Sequence, residues 1–584
     1  MQRVAHRLFY SPLGAPVPWW GSLLLGVAAV AVGVAITTRP FTSLGVLVAL
    51  VAAALLIAGI SGVTSGDSGA VRLAGAAMII AAAAVAVWPG ISIRALAVLV
   101  GVSLLVGGAV RVVGGSRGHA DERLIATVSG LTRVIFGALA LAWPDLTVLV
   151  VALLVGPAMI VFGLGECASA LRRRSGAAPG PRRHWPQWLR LAGVTASLVI
   201  ALGLLLVSVL VHRSSPTSFY VPARPIPQSP GVLLRSEPMT QGIPSGAQAW
   251  RILYTTTGRH GQPEVASAIV VESRHLPSGP RPVIAWAHGT TGYATGCAPS
   301  LLKEPFTAGA MPALPQVIDH GWVVVATDYT GLGTAGPQPY LIGQLEARSV
   351  LDSVRAARTM KQVDLSNRTV IWGHSQGGGA ALWAGILAGH YAPSADVVGV
   401  AAVSPATELP EIVNAAKDTP VGEIMGSYVV SAYSAIYSNV KFDDYIRPAA
   451  QVIAHRTAGR CLAGPEALVS GAAAASTESI FSASPATGAL GHRLSQNIPI
   501  GHIRAPLFIG QGLADTLVLP SYQAQYVHQE CALHQRLLYH TYKGFDHVSV
   551  VRDPRSPLID DLLKWTEARF ERQPQPSGCH TETS

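Results

Sequence analysis

The sequence is poor in charged residues, which make up 13% of its 584 residues, whereas hydrophobic residues make up 50%. Globular domains typically carry about 25% charged residues. The shortage is concentrated in residues 1–212, which hold long apolar runs and only five acidic residues. These features exclude a chain that is soluble over its whole length, and 584 residues predict more than one domain.

The few acidic residues of the N-terminal part also leave its basic residues unbalanced. Before Arg213 there are 15 Lys and Arg against 5 Asp and Glu, and from Arg213 onward there are 27 against 27. The whole net charge of +10 therefore belongs to residues 1–212. Its position favours an explanation by membrane topology and argues against nucleic-acid binding.

Seven apolar segments of the N-terminal part are close to the ~20 residues that a helix needs to cross a bilayer. They lie at 19–37, 42–61, 70–88, 92–113, 124–143, 146–170 and 188–211. Loops rich in arginine alternate with loops of little charge, so the positive-inside rule puts the arginine-rich loops and the N-terminus in the cytoplasm. We expect an all-α, multi-pass domain over 1–212 that places the rest of the chain outside the cell membrane. Arg133 lies in the middle of a segment and Glu166 near the end of another, and the other charged residues lie close to segment ends. So few charges in mid-span favour an anchor over a transporter.

Three tight turns repeat through this region, at Pro40, Pro89 and Pro144, each between two apolar segments. Three helical hairpins followed by one span describe the pattern. Over about residues 20–170 it resembles the HdeD-like family of short-repeat membrane proteins. The resemblance implies an integral membrane domain and says little about activity.

From Arg213 onward the sequence is typical of a water-soluble domain. Residues 213–230 are rich in Ser and Pro and are interpreted as a linker. Short apolar strands then alternate with helical segments such as Ala347–Met360, which predicts an α/β domain with a mostly parallel sheet over 231–575 and a tail over 576–584. The expected strands are Ala266–Val271, Val283–His288, Trp322–Thr327, Thr369–Gly373, Val397–Val403, Pro506–Gly510 and Leu537–His540.

The strand Thr369–Gly373 runs directly into Gly-His-Ser-Gln-Gly, and an Ala-rich helical segment follows. A serine between two glycines at a strand-to-helix turn is the arrangement of a nucleophile elbow. The alternative is a turn with a purely structural role, since Gly and Ser are common in loops. Ser375 is the predicted nucleophile.

A serine nucleophile needs a histidine base and a carboxylate that orients it, and α/β-hydrolases carry them in the order Ser, Asp, His. Asp515 follows a strand and a glycine turn, and His547 lies in a loop after the last strand. These two residues are the predicted acid and base. Asp546 is the rival acid, although an immediate neighbour of His547 would have to fold back to reach its ring. The rival histidines, expected to be solvated or packed, are His540, His534 and His374.

The oxyanion hole is expected from the amide after the serine, that of Gln376, and from a loop after an earlier strand. The segment Ala287–Gly292 resembles the His-Gly-Gly-Gly type of oxyanion loop. Thr290 is the predicted second donor because its amide and hydroxyl both donate, with Thr291 as its rival.

Residues 230–575 resemble the secretory lipase family. The matching segments, in family order, are Trp286–Gly292, Cys297–Ser300, Asp328–Thr334, Gly373–Gly377 and the loops of Asp515 and His547. The resemblance implies an α/β-hydrolase fold, hydrolysis of triacylglycerols or other carboxylic esters, and neither metal nor organic cofactor. Secretory lipases are normally released by a cleaved signal, whereas seven spans would tether this chain.

Four of the five cysteines lie beyond the membrane segments, whereas Cys167 lies near the end of one and is expected to be free. Four cysteines in an oxidising compartment suggest two disulfides with three possible pairings, and the alternative is four free thiols. The family resemblance implies the pairs Cys297–Cys461 and Cys531–Cys579.

A cap is expected near 405–500, because the chain between Ser375 and Asp515 is longer than a bare hydrolase core needs. Its first part, Pro405–Tyr445, has apolar residues at partly helical spacing and is read as a lid over the acyl pocket or as a packed helical insertion. The sequence as a whole predicts a membrane-anchored lipase or lipid esterase. A peptidase or acyltransferase of the same fold and a non-enzymatic membrane sensor remain as alternatives.

Overall fold

A computed structural model describes residues 216–584, apart from 276–278 and 476–478, together with three N-terminal helices and scattered helical residues between them. The contacts divide the chain into two units. The first comprises the chain up to His212 with the segments Arg447–Ile453 and Ala472–Ile480. The second comprises the remainder and holds the candidate site.

The N-terminal helices are α1 (Trp19–Thr38), α2 (Ala120–Ala142) and α3 (Gln187–Leu210). A Cβ on Gly130 of α2 would lie only 2.9 Å from the carbonyl oxygen of Gly108 and would clash with it. The close approach of these two helical segments therefore depends on glycine. Within the described residues, one stretch, Arg123–Leu141, is both long and apolar enough to cross a membrane. The segments expected at 42–61 and 70–88 fall mostly outside the described residues, and about half of 92–113 and of 146–170 does so too.

The second unit is built on a twisted α/β sheet. Its strands are β1 (Leu233–Met239), β2 (Ala247–Thr257), β3 (Pro263–Ser273), β4 (Arg281–Ala287), β5 (Val323–Thr330), β6 (Leu365–His374), β7 (Val397–Val403), β8 (Leu507–Gly512), β9 (Leu537–Tyr542) and β10 (Cys579–Thr583). Their order across the sheet is β1-β2-β3-β5-β4-β6-β7-β8-β9-β10. The pairs β1–β2, β2–β3 and β3–β5 are antiparallel, and the other neighbours are parallel. The predicted α/β class with a mostly parallel sheet is therefore confirmed.

Both faces of the sheet are covered, which explains its continuous apolar strands. Every residue of β5 is buried. Alternate residues of β4 enter opposite cores, since Ala285 packs in one hydrophobic cluster and Trp286 in the other. Parallel strands that are buried on both sides need apolar residues at every position, and the Val and Ala runs supply them.

Helices connect the strands; some form the two outer layers, and those between β7 and β8 form an insertion. They are α4 (Pro305–Ala308), α5 (Leu314–Asp319), α6 (Gly343–Ala357), α7 (Gln376–Tyr391), α8 (Leu409–Ala416), α9 (Pro420–Ile436), α10 (Phe442–Tyr445), α11 (Gln451–Ala458), α12 (Pro465–Ala475), α13 (Gly488–Ser495), α14 (Pro520–Ala532), α15 (Ser549–Arg552) and α16 (Leu558–Phe570). The helix expected at Ala347–Met360 begins four residues earlier and ends at Ala357, where tight turns follow. His534, one of the rival histidines, follows α14 in a left-handed turn with φ of 56°.

A helical insertion, α8 to α13, separates β7 from β8. Its longest member, α9, starts at a sequence-encoded cap: the Thr419 hydroxyl accepts a hydrogen bond from the Gly422 amide at 3.1 Å, and Pro420 occupies the first helical position. One face of α9 is buried through residues such as Tyr428 and Tyr433. The segment that precedes and includes α9 contributes the residues above the candidate site.

Candidate active site

Ser375 lies at the turn between β6 and α7, at the carboxyl end of a central strand. Its backbone has φ of 56° and ψ of −119°, a conformation that residues other than glycine rarely adopt. A Cβ on Gly373 would collide with the carbonyl oxygen of Gly377, and one on Gly377 would collide with that of Ala287. The two glycines are thus required by the close packing of backbone around the serine, which is the geometry of a nucleophile elbow.

The structure brings Ser375, His547 and Asp515 together from three separate loops. Nε2 of His547 lies 2.9 Å from Oγ of Ser375, and Nδ1 lies 2.8 Å from Oδ2 of Asp515. Asp515 follows β8, and His547 follows β9. Contacts of this kind allow a histidine to take a serine proton while a carboxylate orients its ring.

Asp515 is held as an ionised acceptor. Burial would raise its pKa, but hydrogen bonds from His547 and from the amides of Val518 and Leu517 bring that pKa below its ordinary value. Both amides donate to Oδ1 at 2.9 Å, which leaves Oδ2 for the histidine. Gln511 adds a donor that sequence reasoning missed, since its Nε2 lies 3.2 Å from Oδ2.

The rival acid, Asp546, is engaged elsewhere. Its Oδ1 accepts hydrogen bonds from the amides of Val548 and Ser549 at 3.0 and 2.7 Å, at the start of α15. His547 uses Nδ1 to contact Asp515. The structure therefore associates Asp515, and not its rival, with the histidine ring.

Two of the rival histidines have packed positions. Nε2 of His374 donates to the carbonyl oxygen of His547 at 2.9 Å, and burial, followed by the nearby His547, lowers the pKa of His374 to about 3. The neutral His374 ring thus supports the histidine loop. His540 in β9 contacts the C-terminal strand, with Nε2 2.8 Å from Oγ of Ser584.

The two residues predicted for the oxyanion hole both line a narrow pocket beside Ser375. Gln376 is the first residue of α7, and Thr290 follows β4. The Thr290 hydroxyl lies 3.0 Å from the Tyr340 hydroxyl. Thr291 is buried, and its hydroxyl donates to the Cys297 carbonyl oxygen at 2.8 Å, away from the serine.

A cavity of about 970 Å³ opens at Ser375. Its walls combine Ser375 and His547 with apolar residues from α9 and from the loops after β8 and β9, including Val421, Met425 and Leu517. A narrow pocket of about 40 Å³ adjoins it beneath α8 and α9 and is lined mainly by apolar side chains. Val421 and Val548 are 47% and 44% exposed, so the entrance is apolar as well.

Two disulfides cross-link the second unit, and one of them lies beside the site. Cys297 pairs with Cys461, and Cys531 pairs with Cys579, which are the pairs that the family resemblance implies. Beside the first pair, Gly292 forms an antiparallel bridge with Cys461, and the following residues, from Leu462 to Gly464, line the large cavity. Cys167 is not disulfide-bonded.

Glu346 is the principal site neighbour that the sequence did not reveal. Its Oε1 accepts a hydrogen bond from Nε2 of Gln376 at 2.6 Å. An acidic residue in the first turn of a helix is usually a solvated group that complements the helix dipole, so only its burial distinguishes it. Among the described residues, no group of three or more His, Cys, Asp or Glu side chains is arranged to hold a metal ion.

Comparison with known proteins gives two family matches. Residues 306–578 match the family described as secretory lipase. The C-terminal part therefore matches the family predicted from its motifs. Residues 24–68, 73–132 and 128–208 match a short repeat of unknown function, DUF308, which agrees with the membrane-repeat resemblance of the N-terminal part.

Curated relatives of the hydrolase unit carry lipase names. A "probable inactive lipase" of Mycobacterium tuberculosis is 32% identical over 195 residues, which are 31% of this chain and 43% of that protein. A secreted triacylglycerol lipase of Malassezia globosa is 28% identical over 209 residues, covering 32% of this chain and 42% of the relative. The chain thus spans less than half of the length of these relatives.

A solved structure with the same fold is Candida antarctica lipase A in its closed state. It superposes with a TM-score of 0.52 at 18% identity and covers 63% of this chain and 89% of its own. At this identity the likeness establishes the lipase-like α/β-hydrolase fold alone. Together with the family match, it supports a hydrolase.

Proposed function

We propose that the chain is a membrane-anchored serine hydrolase that cleaves carboxylic esters, with lipids as its substrates. The observation that carries the proposal is the pair of contacts of His547, 2.9 Å to Oγ of Ser375 and 2.8 Å to Asp515. Serine is activated when a base lies within hydrogen-bond reach and a third group orients that base. The family match and the lipase names of the relatives support the ester as the substrate class.

In the proposed reaction, Oγ of Ser375 attacks the ester carbonyl carbon while Nε2 of His547 takes its proton. Asp515 holds the Nδ1 proton and stabilises the imidazolium that forms. The amides of Gln376 and Thr290 stabilise the oxyanion of the tetrahedral intermediate. The carbon–oxygen bond to the leaving group breaks, and the alcohol departs with the proton from Nε2. Water, activated by the same histidine, then releases the acid and restores Ser375.

The apolar cavity supports an acyl chain as the group that Ser375 takes. Val421, Met425 and Leu517 present apolar surface beside the serine, and the burial of methylenes stabilises binding by about 0.8 kcal/mol each. We infer that the segment from α8 to α9 acts as a lid over the bound acyl chain.

The anchoring of the hydrolase unit outside the cytoplasmic membrane is part of the proposal. It is supported by the DUF308 matches, the apolar helix Arg123–Leu141 and the arginine distribution of the loops. The two disulfides agree with an oxidising compartment.

One experiment on intact cells tests chemistry and location together. A membrane-impermeant and a permeant fluorophosphonate probe are applied to cells that express the full chain or its Ser375→Ala variant. We expect equal labelling of the wild type by both probes and none of the variant. Labelling by the permeant probe alone would contradict the topology, and an unlabelled folded wild type would contradict the hydrolase and favour a sensor. A panel of esters, peptides and acyl acceptors then separates a lipase from a peptidase or acyltransferase.

A further inference from the structure

We propose that Glu346 is a positioning residue for the reaction at Ser375, because it fixes the side chain of Gln376 and the loop at Leu341 from beneath the pocket. This inference rests on the proposed function and assigns a role that the order of the triad does not provide. It concerns how the amide that follows the nucleophile is held. It also concerns how charge is kept away from that amide.

The contacts converge on one carboxyl oxygen. Oε1 of Glu346 accepts a hydrogen bond from Nε2 of Gln376 at 2.6 Å and one from the amide of Leu341 at 3.1 Å. Glu346 and Gln376 are each 1% exposed, so water does not compete for these bonds. Gln376 directly follows Ser375 and begins α7. A constraint on its side chain is therefore a constraint on the first turn of α7 and on the amide proposed to bind the oxyanion.

The same carboxyl group also supports the opposite wall of the pocket. Leu341 has φ of 57°, a strained conformation that its hydrogen bond to Glu346 helps to maintain. Its carbonyl oxygen accepts a hydrogen bond from the Tyr433 hydroxyl of α9 at 2.8 Å. The preceding residue, Tyr340, contacts Thr290 through their hydroxyl groups at 3.0 Å. Glu346 is thus linked to both proposed oxyanion donors and to the lid helix.

The ionisation of Glu346 has a consequence for catalysis. Burial raises its pKa to about 8, although the hydrogen bonds from Gln376 and Leu341 act in the opposite direction. The titratable groups that face it are Tyr329 at the end of β5, Tyr340 in the next loop and Tyr433 on α9, and burial raises the pKa of each. These tyrosines stay neutral and add no charge beside the carboxyl group. With a pKa of about 8, Glu346 is mostly protonated at pH 7 and gains its charge as the pH rises through about 8.

A carboxylate at this position would oppose catalysis. The reaction places a negative charge on the oxygen held by the amides of Gln376 and Thr290, and like charges repel strongly in a site that excludes water. The protonated form avoids this repulsion while it keeps the contacts to Gln376 and Leu341. The proposed role therefore predicts that the reactivity of Ser375 declines as Glu346 ionises.

A Glu346→Gln variant separates this role from simple packing. Glutamine has nearly the same shape, retains an oxygen that accepts from Gln376 and Leu341, and never ionises. If Glu346 only fills space, the wild type and E346Q have the same pH profile. Glu530→Gln is the matched control, because Glu530 is also fully buried, with a pKa raised to about 7 by burial, and its Oε1 contacts the Gly501 amide away from the site.

The test measures the rate of fluorophosphonate labelling of Ser375 and the kcat for p-nitrophenyl butyrate from pH 6 to pH 10 on the full chain. We expect the wild type and E530Q to lose rate above about pH 8, whereas E346Q keeps its rate through that range. Glu346→Ala, which removes both hydrogen bonds, should lower kcat about 10–100-fold with little change in KM, since a misplaced oxyanion donor costs less than the ~100–1000-fold of a lost one.

The outcomes distinguish the two levels of the proposal. Identical profiles of labelled wild type and E346Q, with matching circular dichroism spectra, would overturn the role of Glu346 and leave the hydrolase in place. Absence of labelling of the folded wild type at every pH would contradict the proposed function, and this inference with it. An alkaline decline that disappears in E530Q as well would also overturn the assignment to Glu346.

Discussion

Gly373 and Gly377 approach each other so closely across the elbow that a Cβ on Gly373 would overlap the carbonyl oxygen of Gly377. The contact is between backbone atoms, so a side-chain rotation cannot relieve it. Gly377 is equally constrained on its other side by the carbonyl oxygen of Ala287 in β4. The path of the chain around Ser375 therefore depends on glycine at both positions.

We expect Gly377→Ala to displace the serine and to lower ester hydrolysis about 100-fold or more, since a 1 Å misplacement of reacting groups has an effect of that size. Gly389→Ala is the control in the same helix. Gly389 is exposed, and its added Cβ would come no closer than 3.5 Å to Arg504. The control should keep full activity and gain about 0.5–1 kcal/mol of stability. Full activity of Gly377→Ala would contradict the elbow geometry.

Asp515→Asn is the sharpest test of the acid. Asparagine keeps the shape of the side chain but presents an amide to His547 and favours the wrong tautomer, which in other triads lowers kcat by on the order of 10⁴-fold. The rival change, Asp546→Asn, should weaken the cap of α15 and retain most of kcat, because Asp546 bonds to the amides of Val548 and Ser549. Steady-state kinetics on a short ester measures both variants. A larger loss for Asp546→Asn would reverse the assignment.

The central strands and the meeting of Ser375, Asp515 and His547 were predictable because their signals are local. Val397–Val403 is an uninterrupted apolar run and is also the whole of β7. Ser375, Asp515 and His547 each follow a strand at the edge where ligand-binding loops of parallel sheets meet. Chain order then sufficed to select them, since the fold brings the ends of these strands to one edge.

The missed elements have signals that are not local. β10, Cys579–Thr583, is polar in sequence and becomes a strand through pairing with β9 and through the Cys531–Cys579 disulfide. β1 contains Pro238 and charged residues, which an edge strand tolerates but a sequence pattern reports as a loop. Glu346 differs from a surface glutamate only because α6 packs against α7, which no single segment reveals.

Loss of the Cys297–Cys461 disulfide should lower stability and activity more than loss of the Cys531–Cys579 disulfide. It closes a separation of 164 residues, against 48 for Cys531–Cys579, and a longer loop loses more entropy in the unfolded chain. It also lies beside Leu462–Gly464, which line the large cavity. Replacing Cys297 and Cys461 by serine should cost about 2–5 kcal/mol and reduce activity. Thermal unfolding and ester hydrolysis are measured for this double variant and for the double variant of Cys531 and Cys579. A larger loss of activity in the Cys531 and Cys579 variant would contradict the prediction.

The buried Glu346 should also appear in the pH dependence of stability. Its pKa is raised from 4.5 to about 8, so the folded protein binds this proton more tightly than the unfolded chain does. The contribution of Glu346 to the free energy of unfolding of the wild type therefore falls as the pH rises from about 4.5 to about 8. Glu346→Gln lacks this contribution, and its stability relative to the wild type should increase over that range. Unfolding midpoints at pH 5 and pH 9 measure the change, and a constant difference would contradict the raised pKa.

Met425 is placed to limit the length of the acyl chain, because it lines both the large cavity and the narrow pocket beside Ser375. Met425→Trp should fill the narrow pocket and lower kcat/KM for long-chain esters by about 10-fold or more relative to acetate, since each buried methylene contributes up to a few kcal/mol of discrimination. Met425→Leu, of similar volume, should leave the preference unchanged. Leu468→Trp adds the same bulk at a site that is 78% exposed and controls for nonspecific effects. If Met425→Trp hydrolyses short and long esters in the wild-type ratio, the acyl chain must bind along a different wall of the cavity.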